Sequence, residues 1–113
     1  MELLVELRHE NEEVWAYYSN FHVDDQASGY KLTIGGYDSS SPAGDALAIN
    51  DGMEWSAPDL DRDKSGRNCA SLLSSGWWYN ACTRSNPLGV YGAEGAVNSN
   101  SWTPWLGNQT PLD

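Results

Sequence analysis

The chain has 113 residues, with 16 Asp and Glu against 6 Lys and Arg, giving a formal net charge of −10 at pH 7. This length predicts one small acidic domain or a part of a larger one, and the negative charge opposes binding to nucleic acid or to an anionic membrane surface. The apolar runs are too short to span a membrane, while six Trp and six Tyr supply enough apolar area for a packed core, which argues against a disordered chain.

Alternating apolar residues predict a β-hairpin at the start of the chain. A period of two marks a strand with one buried face, and two such runs flank the polar segment 9–13. The two runs are Leu3, Val5 and Leu7, and then Val14, Ala16 and Tyr18.

The following segments predict short helices and one more strand. Acidic residues and a closing Gly29 favour a short helical turn over 23–29. Residues 30–37 are rich in β-branched and aromatic side chains and are predicted as a strand, followed by a loop over 38–42. A short helix is predicted over 43–50. The expected fold class is therefore α+β, with a small antiparallel sheet and short helices.

Regular patterns fade after Met53. Residues 55–113 contain four of the five prolines, most of the glycines and much Ser and Asn. In such a region, turns, side chains, water or an ion must satisfy the backbone polar groups in place of strand ladders. The sequence thus predicts a long loop-rich C-terminal region.

The two cysteines, Cys69 and Cys82, lie thirteen positions apart in this loop-rich region. A disulfide between them would hold together a segment that lacks regular structure. The alternative is a pair of free, buried thiols in a reducing compartment. A zinc site is disfavoured, because His9 and His22 are distant in sequence and show no ligand spacing.

An acidic run in the same region suggests a cation site. Asp59, Asp61 and Asp63 occupy alternate positions and precede small residues whose carbonyls can turn inward, as calcium requires. An EF-hand is excluded, because the twelfth position counted from Asp59 is Ala70 and no long helices flank the loop. The alternative is a solvated acidic turn in which Asp59 and Asp63 form ion pairs with Arg62, Lys64 or Arg67.

Several motifs together resemble the C-terminal half of the fibrinogen-related domain. They are NCA at 68–70, GWWYNAC at 76–82, SNPLGVY at 85–91, the Trp102-x-x-Trp105-x-Gly107 pattern, and upstream segments at 18–23, 27–32, 35–37, 43–47 and 50–53. The resemblance covers residues 3–107 in order and spacing. It implies a partial fibrinogen C-terminal-like domain over 1–107, with a sheet subdomain and a calcium and ligand subdomain. The tail 108–113 does not follow the family.

The resemblance also implies a stabilising ion, a bridge and a compartment. In the family the D-x-D-x-x-x-x-N-C motif holds Ca²⁺, so Asp61 and Asp63 are expected to bind it through side chains. Ser65 and Arg67 are expected to contribute backbone carbonyls. The resemblance further implies a Cys69–Cys82 disulfide and a secreted, extracellular protein.

The family's ligand pocket lies beside this loop, around a cis peptide that corresponds here to Ala81–Cys82. Ficolins and tachylectins bind acetyl groups of sugars there, and fibrinogen binds a peptide knob. Both have a histidine after the cysteine, where this chain has Thr83. The remaining expected wall residues are Tyr79, Asn80, Tyr91 and Trp102.

These observations predict an extracellular, calcium-stabilised recognition module that binds acetylated sugars or a protein partner. The alternative is a structural subunit that uses the same fold to assemble with other chains, because the sequence after Gly107 lacks the family's final strand. No Gly-x-Ser-x-Gly or phosphate-binding loop is present, so an enzyme is not expected. Asn108-Gln-Thr is a sequon for N-glycosylation.

Overall fold

The chain forms a three-stranded antiparallel sheet followed by a loop-rich region, in a computed structural model that describes residues 1–92 and 98–106. The sheet contains β1 (Leu3–His9), β2 (Glu12–Val23) and β3 (Leu32–Tyr37), in that order. The later elements are short: α1 (Cys69–Leu73), β4 (Ser85–Asn86), β5 (Ser101–Trp102) and α2 (Thr103–Leu106). These elements confirm the predicted α+β class. Within the described ranges, no helix has the length and apolarity needed to cross a bilayer.

The β1–β2 hairpin confirms the predicted alternation. Leu7 pairs with Val14 and both are buried, whereas Leu4 points away from the core and is 54% exposed. Successive side chains of a strand point to opposite faces, so the period-two pattern selects the core face. β2 continues past the predicted end at Tyr18 to Val23, because its second half pairs with β3.

The connection between β2 and β3 confirms the predicted turn. A 3₁₀ turn covers Gln26–Ser28. The Asp25 carboxylate accepts the backbone N–H of Ser28 at 3.1 Å, and Gly29 closes the turn at φ 67°. Gly29 therefore adopts a left-handed conformation that residues with a Cβ rarely take. β3 then begins at Leu32, two residues after its predicted start.

The helix predicted over 43–50 is largely wrong, since only Ala48–Asn50 forms a 3₁₀ turn. Gly44 has φ 84°, which is incompatible with a right-handed helix. The Asp45 carboxylate accepts the backbone N–H groups of Leu47 and Ala48 at 3.0 and 3.1 Å. Such local side-chain bonds satisfy the backbone outside a helix, and this competition prevents a regular helix before Ala48.

The core of the sheet includes a residue from the far end of the described chain. Trp102 is fully buried, and its indole Nε1 donates a hydrogen bond to the Gly44 carbonyl at 3.0 Å. It lies in one cluster with side chains of all three strands and of the 43–47 loop: Leu7, Val14, Ala16, Tyr18, Leu32, Ile34, Ala43, Ala46 and Leu47. The loop-rich region is thereby fixed against the sheet by apolar burial.

Buried hydrogen bonds replace regular structure in the loop-rich region. Asn86 accepts the Ser75 hydroxyl at 2.7 Å and donates to the carbonyls of Leu73 and Ser99 at 3.1 and 3.2 Å. The Tyr79 hydroxyl also bonds Ser75. Burying polar groups is tolerable only when they are paired, and this network satisfies that requirement. The irregular region was predicted, but α1 and the β4–β5 ladder were not.

Candidate functional site

Successive hydrogen bonds from backbone N–H groups to side-chain oxygens shape the acidic loop over residues 61–69. The Asp61 carboxylate accepts the N–H of Asp63 at 3.2 Å, and Asp63 Oδ1 accepts that of Ser65 at 2.9 Å. The Ser65 hydroxyl oxygen accepts the N–H of Arg67 at 3.1 Å. Asp63 Oδ2 accepts the N–H of Cys69 at 2.9 Å. The alternate positions of the acids therefore set a series of tight turns.

The charges of this loop are not neutralised by neighbouring cations. Within residues 1–92 and 98–106, no basic side chain lies within 4.0 Å of the carboxylates of Asp59, Asp61 or Asp63. Arg62, one of the cations considered for such a pair, instead approaches Glu54 at 3.9 Å. The alternative of an acidic turn held by ion pairs is therefore not the arrangement in this structure.

The same loop offers only oxygen donors, which suits a hard cation such as calcium. In the described part of the chain, no three His, Cys, Asp or Glu side chains are grouped to hold a metal. A cation here would depend on Asp61 and Asp63 together with the backbone carbonyls between them and Cys69. The donor chemistry fits calcium and does not fit zinc.

The two cysteines form the disulfide that the resemblance implied. Cys69 and Cys82 are bridged, with Cα atoms 5.7 Å apart, and no cysteine is free. The alternative of two free thiols is therefore wrong. Cys69 begins α1, whose N-terminus is capped by Asn68, since its side-chain oxygen accepts the N–H of Ser71 at 3.1 Å. The bridge thus joins α1 to the segment around Cys82.

The peptide bond between Ala81 and Cys82 is cis, as expected from the resemblance. The residues before it contact both the acidic loop and the 48–50 turn. The Asn80 carbonyl accepts the N–H of Lys64 at 3.0 Å, and the Asn80 side chain donates to the Ile49 carbonyl at 2.9 Å. The acidic loop and the segment 80–82 are therefore directly connected.

A cavity of about 220 Å³, here called the Cys82 cavity, lies on the C-terminal side of this cis peptide. The C-terminal end of α1 supplies apolar side chains, and β4, β5 and α2 supply small polar ones. The lining residues are Leu72, Leu73, Cys82, Thr83, Arg84, Ser85, Asn86, Ser101 and Thr103. Arg84 is exposed and has no acidic partner within 4.0 Å in the described residues. The cavity thus combines an apolar wall with one available cation.

Most polar side chains around the cavity are already engaged. The Thr83 hydroxyl accepts hydrogen bonds from the Asn50 side chain and from the Ser85 N–H, both at 3.2 Å, and donates to the Ser85 carbonyl at 2.9 Å. The Ser85 hydroxyl donates to the Ala46 carbonyl at 3.1 Å. The Asn86 side chain belongs to the network with Ser75. Thr83 therefore orders the loop and has no free donor for a ligand.

Of the pocket residues expected from the sequence, only Cys82 and Thr83 line the cavity. Tyr79 and Trp102 are fully buried and do not line this cavity, and their place in the walls of a ligand pocket stays a prediction. Tyr79 bonds Ser75, and burial raises the pKa of its hydroxyl. Trp102 fills the sheet core. Asn80, Ala81 and Tyr91 are not among the lining residues, and Tyr91 is 75% exposed. Asn108 and the boundary after Gly107 fall outside the described residues.

Sequence reasoning missed seven lining residues: Leu72, Leu73, Arg84, Ser85, Asn86, Ser101 and Thr103. Two signals were present. Arg84 is the only Lys or Arg after Arg67, and Leu72-Leu73 is an apolar pair just after a disulfide cysteine. The small polar residues carry no pattern that distinguishes them from other loop residues.

The chain matches known proteins along its whole length. Residues 1–113 match the profile of the family described as fibrinogen beta and gamma chains, C-terminal globular domain. Rat Tenascin-R is 41% identical over 108 residues, which are 96% of this chain and 8% of Tenascin-R. Chicken Tenascin is 35% identical over 108 residues, 96% of this chain and 6% of that protein.

Solved structures of fibrinogen-like domains have the same fold as this chain. The fibrinogen-like globe domain of human ANGPTL6 superposes with a TM-score of 0.92 at 32% identity, covering 98% of this chain and 52% of that one. Lamprey fibrin D-dimer, complexed with the peptide Gly-His-Arg-Pro-amide, gives a TM-score of 0.91 at 25% identity, covering 98% and 42%. The chain thus spans about half of these solved chains. It belongs to the fibrinogen C-terminal globular domain family.

Proposed function

We propose that this chain is an extracellular, calcium-stabilised recognition module that binds a small group of its ligand in the Cys82 cavity. The observation that carries this proposal is the cavity itself, which joins an apolar wall to the unpaired cation of Arg84 and is held by the Cys69–Cys82 disulfide. Recognition sites commonly combine apolar walls with a few convergent polar groups. No catalytic arrangement is part of this proposal.

The cavity size limits what can enter. Sites for drug-sized ligands have volumes of roughly 300–1,000 Å³. A cavity of about 220 Å³ suits a side chain, a chain terminus or the acetyl group of a sugar. Leu72 and Leu73 offer contact to a methyl or alkyl group, and Arg84 offers hydrogen bonds to a carboxylate or carbonyl oxygen.

Between a peptide and an acetylated sugar, the engaged hydroxyls favour a peptide. A sugar offers many hydroxyls and needs several free hydrogen-bonding partners, whereas Thr83, Ser85 and Asn86 already bond protein groups. A short peptide can combine one apolar side chain with one acceptor. The peptide-bound lamprey relative supports this choice by similarity of fold. The preferred ligand is therefore a protein segment.

Calcium is proposed to bind the acidic loop through the side chains of Asp61 and Asp63 and the carbonyls of Ser65 and Arg67. A bound cation would offset the repulsion between unpaired carboxylates. The Asp63 bond to the Cys69 N–H and the Lys64 bond to the Asn80 carbonyl connect this loop to Cys69 and to the segment 80–82. A cation that orders the acidic loop would thereby also stabilise the residues around the Cys82 cavity.

An extracellular location is supported by the disulfide, because such bonds persist in oxidising compartments. The similarity to tenascins also supports an extracellular location. The sequon at Asn108 is compatible with secretion, and N-glycosylation there is part of the proposal.

Calorimetric titration of the whole chain with a short peptide that ends in a leucine with a free carboxylate, and with N-acetylglucosamine, tests the proposal. We expect binding of the peptide, and we expect Arg84→Ala to weaken it about tenfold or more, as loss of a charged hydrogen bond does. Lys31→Ala removes a cation that does not line the cavity and serves as the matched control. Binding of the sugar alone would revise the ligand class. Binding unaffected by Arg84→Ala would refute the site.

A further inference from the structure

The charge of the chain is unevenly distributed, and most of the wall of the Cys82 cavity belongs to a basic segment. Residues 1–63 contain 14 of the 16 acids of the chain. Residues 64–92 contain no acid, and their cations are Lys64, Arg67 and Arg84. This basic segment supplies seven of the nine residues that line the cavity. The cavity is therefore a place where an otherwise acidic protein favours an anion.

Arg84 is the residue of the cavity wall that can bind this anion. Its side chain is exposed and has no acidic partner within 4.0 Å in the described residues. The Arg84 carbonyl accepts the N–H of Thr103 at 2.9 Å, so its backbone is fixed against the start of α2, and Thr103 also lines the cavity. A guanidinium binds a carboxylate through two parallel hydrogen bonds. The anion that suits this wall is therefore a carboxylate.

The C-terminal end of α1 gives the same cavity an apolar wall. Leu73 is partly buried and packs against the cluster of Cys69, Ala70 and Tyr79. Leu72 is 42% exposed, so a ligand in the cavity can cover it. Removing apolar surface from water is favourable. The cavity therefore suits a ligand that carries an alkyl group close to its carboxylate.

The size of the cavity requires both groups to belong to one residue. A volume of about 220 Å³ is below the roughly 300–1,000 Å³ of sites for drug-sized ligands, so the cavity holds about one residue. An Asp or Glu residue carries its charge at the tip of its only side chain and has no separate apolar group. The last residue of a chain carries an apolar side chain and a carboxylate on the same Cα atom. A chain that ends in the cavity also needs no space to continue.

We propose that the Cys82 cavity binds the free C-terminus of a protein segment, with its carboxylate on Arg84 and an apolar last side chain, such as leucine, against Leu72 and Leu73. This inference rests on the proposed function, which places a protein segment in the cavity, and it names the part of the segment that enters. Capture of a C-terminal carboxylate is a recurring mode of peptide recognition. The net charge of −10 repels an acidic tail, so the residues that precede the terminus are neutral or basic.

Fluorescence anisotropy of the whole chain with four labelled peptides tests the proposal. All four begin with the same neutral Gly-Ser repeat and differ only at the end. The endings are leucine with a free carboxylate, leucine with an amide, asparagine with a free carboxylate, and leucine followed by two glycines with a free carboxylate. We expect the first peptide to bind, and each of the others to bind about tenfold or more weakly, because each lacks one of the two groups or separates them.

Two variants assign these preferences to residues. In Arg84→Ala, the leucine peptides with a free carboxylate and with an amide should bind equally weakly. In the control Lys31→Ala they should differ as they do in the parent chain. Leu72→Asn should reduce the preference for leucine over asparagine and keep the preference for a free carboxylate. Circular dichroism checks that each variant is folded.

The outcomes separate this inference from the proposed function. If the free-acid and amide peptides bind equally to the parent chain, and both lose affinity in Arg84→Ala, recognition of a terminus is overturned while a protein-segment site remains. A preference for the free acid that persists in the folded Arg84→Ala variant would overturn the assignment of the carboxylate to Arg84. Failure of every peptide to bind would overturn both this inference and the proposed function.

Discussion

The Oδ2 atom of Asp63 accepts a hydrogen bond of 2.9 Å from the backbone N–H of Cys69, the first residue of the disulfide. The other oxygen of this carboxylate accepts the N–H of Ser65 at 2.9 Å. One side chain thus joins the acidic loop to the start of α1. Because α1 carries Leu72 and Leu73, this bond connects the loop to the Cys82 cavity.

Replacing Asp63 should therefore destabilise the protein even without calcium. Asp63→Ala leaves two backbone N–H groups without their acceptor, and we expect a loss of about 1–3 kcal/mol in the free energy of unfolding. Asp59→Ala is the matched control, since Asp59 is exposed, and its effect should stay within about 0.5 kcal/mol. Urea unfolding in the presence of a chelator measures both. Equal effects of the two changes would contradict a structural role for Asp63.

Calcium should raise the melting temperature by mass action on the folded state. At a concentration one hundred times the dissociation constant, the gain is about 2.7 kcal/mol. Asp61→Ala should remove most of the gain, whereas Glu12→Ala, an acid in the hairpin, should not. Magnesium should replace calcium poorly, because it requires stricter octahedral geometry. A melting temperature that does not respond to calcium or to a chelator would refute the ion site.

The hydroxyl of Thr83 should matter for stability and for the cavity. Thr83→Val keeps the shape but leaves the Ser85 N–H without an acceptor, and the Asn50 side chain keeps only its bond to the Trp78 carbonyl. We expect a loss of about 1–3 kcal/mol and weaker peptide binding. Thr83→Ser keeps the hydroxyl and should retain most of both. If Thr83→Val is as stable as the parent chain, the hydroxyl does not order this loop.

Stability should fall as the pH rises above about 10, through Tyr18. Burial, followed by its hydrogen bond to Asp45, raises the pKa of Tyr18 above the ordinary value of 10.0. The unfolded chain then loses this proton at a lower pH than the folded chain, so the stabilising contribution is complete below pH 10 and decreases above it. Denaturant unfolding between pH 8 and 11 measures the decline. Tyr18→Phe should reduce the decline without removing it, because burial also raises the pKa of the Tyr79 hydroxyl. Tyr91→Phe, at an exposed position, serves as the matched control.

Reduction of the Cys69–Cys82 bond should remove ligand binding before it affects the sheet. The bridge holds α1 beside residues 82–86, and its loss costs about 3 kcal/mol in the chain-entropy account. The hairpin is held by strand pairing and by apolar burial of residues such as Leu7 and Val14, which reduction does not alter. Under mild reductant, titration should therefore show loss of peptide binding while circular dichroism still shows the strands. Binding that survives reduction would show that the bridge does not support the cavity.

The sheet could be predicted from the sequence, because its information is local. Leu7 and Val14 lie in runs of period two, and this periodicity alone selects their buried face. Gly29 likewise predicted the end of a turn, because glycine readily adopts the left-handed conformation that closes it. The short helix predicted at residue 43 was wrong, because the left-handed Gly44 and the side chain of Asp45 act outside any periodic pattern.

The loop-rich region was predictable in part. The motif around Cys69 indicated the bridge and the acidic loop through resemblance to a family. The cavity walls were not predictable, because Ser101 and Leu72 are brought together by contacts between distant segments. Trp102 was expected at the ligand pocket through the same resemblance, and in the structure its large indole is buried in the sheet core.

Burial of Trp102 in the sheet core also bears on synthesis at the ribosome. The hairpin emerges early, but the indole that covers its inner face lies far along the chain and reaches back to Gly44. Until Trp102 leaves the exit tunnel, Leu7 and Val14 lack part of their apolar cover. Such nascent chains expose surface that promotes aggregation. We therefore expect ribosome-bound intermediates that stop before Trp102 to bind chaperones and to be cut readily by proteases, and those that include it to be protected.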